Sequence, residues 1–326
     1  MRIAVTGSIA TDHLMVFPGR FAEQILPDQL AHVSLSFLVD TLEVRRGGVA
    51  ANIAYGLGGF GLSPLLAGAV GSDFAEYEIW LKEHGVDTSA VHVSTERQTA
   101  RFLCMTDRDA NQIAAFYAGA MAEAGTIDLR APHTHSPLDL IVISPDDPDA
   151  MLHHTAQART LGIPFVADPS QQLARLHGQQ VHDLVQGARL LFTNEYERAL
   201  LLEKTGWSPT QVLQQVGTWV TTLGSKGVRI EHDNEPTITL EAIPDVSVED
   251  PTGVGDAFRA GFLAAISWHL ALPSAAQLGC ATAALALSTI GSQTYEVDPA
   301  RVADTVHTVY GAQAADLLRP HLGRSR

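Results

Sequence analysis

Hydrophobic and polar positions change rhythm along this chain. Ile3-Ala4-Val5 opens an apolar run that closes on Thr6-Gly7, which predicts a first strand ending in a glycine turn. Residues 33–39 (Val-Ser-Leu-Ser-Phe-Leu-Val), 42–46 and 98–105 alternate as half-exposed strands do, and predict a small antiparallel sheet built from two separate insertions. Between them, 49–60 and 73–84 predict helices. From Leu138 the pattern becomes regular. Strands at 138–144, 164–168, 189–193 and 218–223 are apolar throughout, and helices over 148–161, near 179–186 and after Asn194 separate them. Such alternation predicts a doubly wound α/β core with a mainly parallel sheet covered on both faces. Ligands of such sheets gather beyond the carboxyl ends of the strands, which here carry Asp168, Asn194 and Thr222. The expected division is a large α/β domain of residues 1–8, 47–95 and 119–326, and a discontinuous β-sheet lid of residues 9–46 and 96–118.

Residues 260–295 contain no Asp, Glu, Lys or Arg, enough on length alone to span a bilayer. Trp268-His269 and Pro273 divide the run, and scattered Ser, Thr and Gln residues interrupt it, so it reads as two buried helices joined at Leu272-Pro273. The chain has 326 residues, 36 acidic against 21 basic, and a net charge of −15. That balance argues against binding a nucleic-acid polymer or an anionic membrane. Any phosphate must be met by local devices. Cys104 and Cys280 make no disulfide framework and read as reduced thiols, and the N-terminal apolar run is too short for a signal peptide, so a cytoplasmic protein is expected. The 14 histidines form no recognisable transition-metal motif.

The richest segment runs from Asp250 through Pro251, Thr252, Gly253, Val254, Gly255 and Asp256 into Ala257. Two glycines just ahead of a helix allow backbone N–H groups to converge on an anion, aided by the helix dipole. Asp256, in the first turn, reads either as a base beside a bound phosphate or simply as a favourable N-terminal charge. Gly47-Gly48 leads into Asn52 at another strand-to-helix junction, either a close-approach site or a plain turn. Asn194 and Glu197 lie three apart, a spacing that suits a water-mediated Mg²⁺ site and equally a helix capping box. Thr222-Leu223-Gly224-Ser225-Lys226-Gly227 is a glycine-rich turn that could lie along a nucleotide or form an ordinary hairpin. Gln171 and Gln172 follow a strand end, where amides could read hydroxyls or a base.

In this order the segments resemble the ribokinase, or PfkB, family of carbohydrate and nucleoside kinases, over essentially the whole chain. The resemblance implies that Asp256 is the catalytic base and that Gly253, Val254, Gly255 and Asp256 form an anion hole. It implies ATP along Asn194, Thr222, Gly224, Ser225, Gly227 and Gly255, and Mg²⁺ held through water by Asn194 and Glu197. It places a K⁺ ion at Asp250, Thr252 and backbone near Gly291, although Pro251 stands where Thr is commoner and brings no N–H. Segments around 34–39, 46–52 and 167–175 are most similar to actinobacterial adenosine kinases. That likeness implies ribose contacts from Ser8, Asp12, Gly47, Gly48 and Asn52, and base contacts from Ser36, Phe102, Phe116, Gln171 and Gln172. It also implies pairing of two copies through the lid. The expected activity is transfer of the ATP γ-phosphoryl group to a nucleoside 5′-hydroxymethyl, with adenosine the leading acceptor and ribose or fructose the alternative. A catalytically silent relative would be expected to lack the base.

Overall fold

A computed structural model describes residues 1–25, 32 and 34–323. Among them, eight strands form the central sheet, in the order 238–240, 228–231, 218–222, 190–194, 165–167, 140–143, 3–6 and 65–67. The six from 218–222 to 65–67 are mutually parallel, and the other two are antiparallel additions at one edge. Alternate residues serve opposite faces. Ile3, Val5, Leu140, Val142, Phe192 and Val220 enter one core, and Ala4, Ile141, Ile143, Leu191 and Trp219 enter the other. Period-two burial on both faces accounts for the uninterrupted apolar strands in the sequence.

Helix boundaries follow local chemistry. The Pro148–Leu161 helix starts on Asp147, whose side chain accepts from Asp149 and Ala150 N–H, and it ends at left-handed Gly162. The charge-free run begins inside the first of two packed helices, Val254–Ser267 and Leu272–Leu287, with Pro273 in the first turn of the second. Among the described residues, no helix is long and apolar enough to cross a membrane.

The helices Val49–Gly59 and Val254–Ser267 pack through small residues. A Cβ placed on Gly56 would lie 2.5 Å from the Ala260 Cβ and 2.5 Å from the Tyr295 hydroxyl. Only glycine permits so close an approach.

A four-stranded sheet stands beside this core, in the order Thr41–Gly47, Ala10–Val16, Ala100–Thr106, Gln112–Tyr117. It corrects two expectations. The sheet is mixed rather than antiparallel, because Ala10–Val16 and Ala100–Thr106 run parallel. Residues 34–39 are not a strand, and Val33 lies outside the described residues. Phe37 instead packs edge-on against Phe17 and Phe21, at 5.0 and 5.2 Å, and Leu38 is 86% exposed. The partner of 41–47 is Ala10–Val16, with Asp12 opposite Arg45.

Candidate active site

Three junctions at the carboxyl ends of the parallel strands converge on one space. The first strand ends at Thr6, and Ser8 behind it accepts the Val49 N–H on its hydroxyl (3.0 Å), docking the start of the Val49–Gly59 helix. Gly48 must be glycine here. Its φ is +94°, and a Cβ would lie 2.6 Å from both Ala10 N and Ser8 O. The second junction is Gly253, left-handed at φ +74°, which caps the Val254–Ser267 helix. First-turn N–H groups have no carbonyl one turn back to bond, so Gly255 and Asp256 present theirs outward. The third junction, Asn194–Glu197, is a full capping box. Asn194 Oδ1 accepts Glu197 N–H and Glu197 Oε2 accepts Asn194 N–H, both at 2.8 Å.

Asp256, half-buried, ends a polar network centred on buried Asn52. Its Oδ2 accepts from Asn52 Nδ2 at 2.8 Å. Asn52 Oδ1 in turn accepts from Ser292 Oγ (3.0 Å) and Gln293 Nε2 (2.9 Å). Gln293 also donates to the Tyr77 hydroxyl, which donates to Gly47 O at 2.8 Å. One turn past Asp256, Arg259 is paired with fully buried Asp168 through two contacts of 2.6 Å. Burial pushes the Asp256 carboxyl up to about 6, with Arg259 and the Asn52 hydrogen bond pulling down and Glu197 pushing up. Burial likewise raises Asp168 to about 7, opposed by Arg259. Asp256 is therefore an acceptor of protons poised just below neutrality.

Two cavities meet at this helix terminus. One, of about 650 Å³, is lined by Asn194, Thr222, Gly224, Ser225, Gly227, Val254 and Gly255, with Ile243, Val246, Val248, Ala283 and Leu287 as its apolar wall. Its lining contains no lysine or arginine. The other, of about 560 Å³, is lined by Ser8, Asp12, Gly48, Asn52, Phe102, Phe116, Gln171, Gln172, Thr252, Gly253 and Asp256. Phe102 and Phe116 are directly opposed on neighbouring lid strands, on the face that also carries Asp12. Burial raises the Asp12 carboxyl to about 6, Arg45 lowers it, and Asp250 and Asp256 raise it. Gly47 does not line this cavity but backs it, since a Cβ there would lie 2.9 Å from Asp12 Oδ2. Ser36 is exposed and is not among the lining residues, because its segment turns away with Phe37.

The two cation expectations fare differently. Asp168, Glu197 and Asp256 all act electrostatically on one guanidinium, that of Arg259, so the cluster carries an excess of negative charge. Glu197 Oε1 has only a long bond, 3.4 Å, from Ser170 Oγ. That oxygen can orient the water shell of a magnesium ion, which fits a hydrated Mg²⁺. The Asp250 carboxylate, in contrast, is already met by Arg45 at 3.0 Å. No three-residue His, Cys, Asp or Glu cluster suited to direct metal ligation occurs among the described residues.

Sequence reading missed Arg175, Met121 and Pro145 in the second cavity, and Arg45, Ser292 and Gln293 around the loop. A signal existed for Arg259, the one basic residue of the Val254–Ser267 helix, three residues after Asp256. Nothing local ties Gln293 to Asn52 or Arg45 to Asp250, which lie 241 and 205 residues away.

A parallel α/β core with a glycine-led helix terminus between two cavities, one bordered by a second β-sheet, is the ribokinase-like arrangement of a phosphotransferase. The chain belongs to the pfkB carbohydrate kinase family, whose model matches residues 6–299. It is 31% identical to a nucleoside kinase of Methanocaldococcus jannaschii over 251 residues, 76% of this chain and 81% of that one. A nucleoside kinase of Methanothermobacter thermautotrophicus is 30% identical over 82% of this chain and 86% of its own. Among solved structures, a Burkholderia thailandensis nucleoside kinase in complex with inosine superposes with a TM-score of 0.82 at 32% identity, covering 95% of this chain and 98% of the other. These similarities point to nucleoside kinases broadly, which is wider than the adenosine-kinase likeness read from the sequence.

Proposed function

We propose that the protein is an ATP-dependent nucleoside kinase, with a purine nucleoside as acceptor and adenosine the first to test. One observation carries this reading. Gly253–Asp256 forms the shared wall of the two cavities, so a nucleotide along Asn194, Thr222 and Gly224–Gly227 faces an acceptor across the anion hole. Asp256 takes the proton of the acceptor's 5′-hydroxymethyl, the freed oxygen bonds to the γ-phosphorus, and the bond to ADP breaks. Phosphoryl transfer asks little covalent work of a protein, and positioning with charge stabilisation dominates. Magnesium bound with ATP supplies charge neutralisation on the phosphates, its water shell oriented by Glu197 and Asn194.

Asp12 at the cavity edge suits paired ribose hydroxyls as a carboxylate acceptor. Two opposed phenylalanines and Met121 offer the flat apolar surface that a base needs and a free sugar does not. The nucleoside kinases named above, which match most of this chain, support the same acceptor class. An ADP-release assay with adenosine, inosine, ribose and fructose in parallel tests it. Turnover of a free sugar with no turnover of either nucleoside would replace it with the sugar-kinase reading.

We further read the lid as a pairing surface for a second copy. Leu42, Val44, Ile113 and Tyr117 are exposed and alternate with the cavity-facing positions on their strands, so they share the outer face. Light scattering should give the mass of a dimer, reduced to a monomer by Val44→Glu. A monomeric wild type would exclude it. The free, buried Cys104 and Cys280 and the use of ATP suit a cytosolic protein.

A further inference from the structure

One side chain of the lid reaches the loop that precedes the anion-hole helix. Arg45 lies in the lid strand Thr41–Gly47, and its Nη1 donates to Asp250 Oδ2 at 3.0 Å. Glu43 holds the opposite edge of the same guanidinium, Oε1 accepting from Nε at 2.9 Å and Oε2 from Nη2 at 2.7 Å. The pair is half-sheltered, with side-chain exposures of 22% for Arg45 and 13% for Asp250.

Asp250 is the clamp of two chain segments. Its Oδ1 accepts the Thr252 N–H at 2.9 Å, and its Oδ2 accepts the Gly291 N–H at 3.0 Å. Thr252 leads directly into left-handed Gly253 and the anion hole, and Gly291 precedes Ser292 and Gln293, which hold Asn52. The position and charge of Asp250 therefore bear on both the phosphoryl site and the partner of Asp256.

Asp250, Thr252 and the Gly291 backbone are where the family resemblance puts a potassium ion, and they do not fit one here. Oδ2 of Asp250 already accepts two donors, one of them a full positive charge. The stem of Arg45 packs over Gly291, its Cδ 3.5 Å from where a Cβ of that residue would stand. A guanidinium has five donors and no acceptor, and it stays charged at any working pH. Burial raises the Asp250 carboxyl, but its hydrogen bonds and Arg45 outweigh this and hold it below the usual range, so the pair remains ionised.

We propose that the guanidinium of Arg45 is the resident cation of this loop, bridging Asp250 to Glu43 and fixing the turn into the anion hole, so that the enzyme works without a monovalent ion. Arg45 is a positioning residue, since it acts through Asp250. This rests on the phosphotransferase reading above, and the experiment separates the two.

Initial rates and melting temperatures of the full chain are measured in potassium, sodium and tetramethylammonium chloride at equal ionic strength, for wild type, Arg45→Ala and Arg45→Lys. Wild type should show the same rate and the same melting temperature in all three salts. Arg45→Ala should lose about tenfold or more in kcat, since small displacements near the reacting groups are costly, with little change in acceptor KM. Millimolar guanidinium or potassium should recover part of that rate and raise its melting temperature, and Arg45→Lys should fall between the other two. Several-fold activation or stabilisation of the wild type by potassium overturns the proposal, as does full activity of Arg45→Ala in tetramethylammonium. If no acceptor is phosphorylated at all, the kinase reading fails by itself. The melting temperatures still decide whether potassium binds the wild type and whether guanidinium fills the gap in Arg45→Ala.

Discussion

The amide of Asn52 donates to the carboxylate of Asp256 at 2.8 Å, joining the starts of two helices that are 204 residues apart in the chain. The bond holds the carboxylate in place and favours its ionised form. Without it, only Arg259 would oppose burial, and the group would titrate higher.

Asp256→Asn should therefore cut kcat by at least about 10²-fold while leaving ATP affinity in place, the usual range for loss of a general base. The wild-type rate should decline on the acid side as pH falls through about 6, where Asp256 protonates. A single-turnover pH series checks both.

The same substitution has a stability consequence of opposite sign. The Asp256 pKa is about 6 in the fold against an ordinary value of 3.8, so the folded state binds the extra proton between these pH values. The carboxylate then costs stability above pH 6, and the cost vanishes below the ordinary value. Asp256→Asn should melt higher than wild type at neutral pH, with the two curves converging in acid.

Asn52→Ala removes the donor that lowers the Asp256 pKa. The acid limb of the kcat profile should move to higher pH by about one unit, the scale of a charge-assisted hydrogen bond. An unmoved limb with a uniformly lower rate would assign Asn52 to packing.

Gly253→Ala forces a side chain onto left-handed backbone and places its Cβ 2.4 Å from Ser292 Cβ. Strain of about 1–2 kcal/mol plus that collision should lower the melting temperature and cost about 10²-fold in kcat. Acceptor affinity, set mainly by other walls of the cavity, should change little, as measured by calorimetry.

Phe102→Ala should raise the KM for a nucleoside by about tenfold, the scale of base–aromatic stacking, and leave that for a free sugar nearly unchanged. Equal small effects would make Phe102 a packing residue of the lid.

Much of the core was legible because its signals are local. Asp147-Pro148 marks a helix start within two residues, and strands buried on both faces show as unbroken apolar runs. The glycine-led start of the Val254–Ser267 helix was legible for the same reason, since its glycines and Asp256 lie within seven residues. The lid was harder. Ala10–Val16 carries Thr11, Asp12 and His13, which hide its strand character, and 33–39 alternates yet has Phe37 drawn into an aromatic cluster. The Asn194–Glu197 spacing fits both readings because it serves as a capping box and leaves Glu197 Oε1 little used. The Arg45–Asp250 and Gln293–Asn52 contacts join residues more than two hundred positions apart, which no local pattern encodes.

Gly56 lies one helical turn after Asn52, and Ala260 one turn after Asp256, so their close contact repeats one layer below the hydrogen bond. The reach between the two polar groups is thus metered by the thinnest spot of the interface beneath them. A methyl group added at Gly56 would touch no ligand, yet it would wedge the two helices apart under the base. Loss of turnover at such a remote glycine would look like a folding lesion and would in fact be one of alignment.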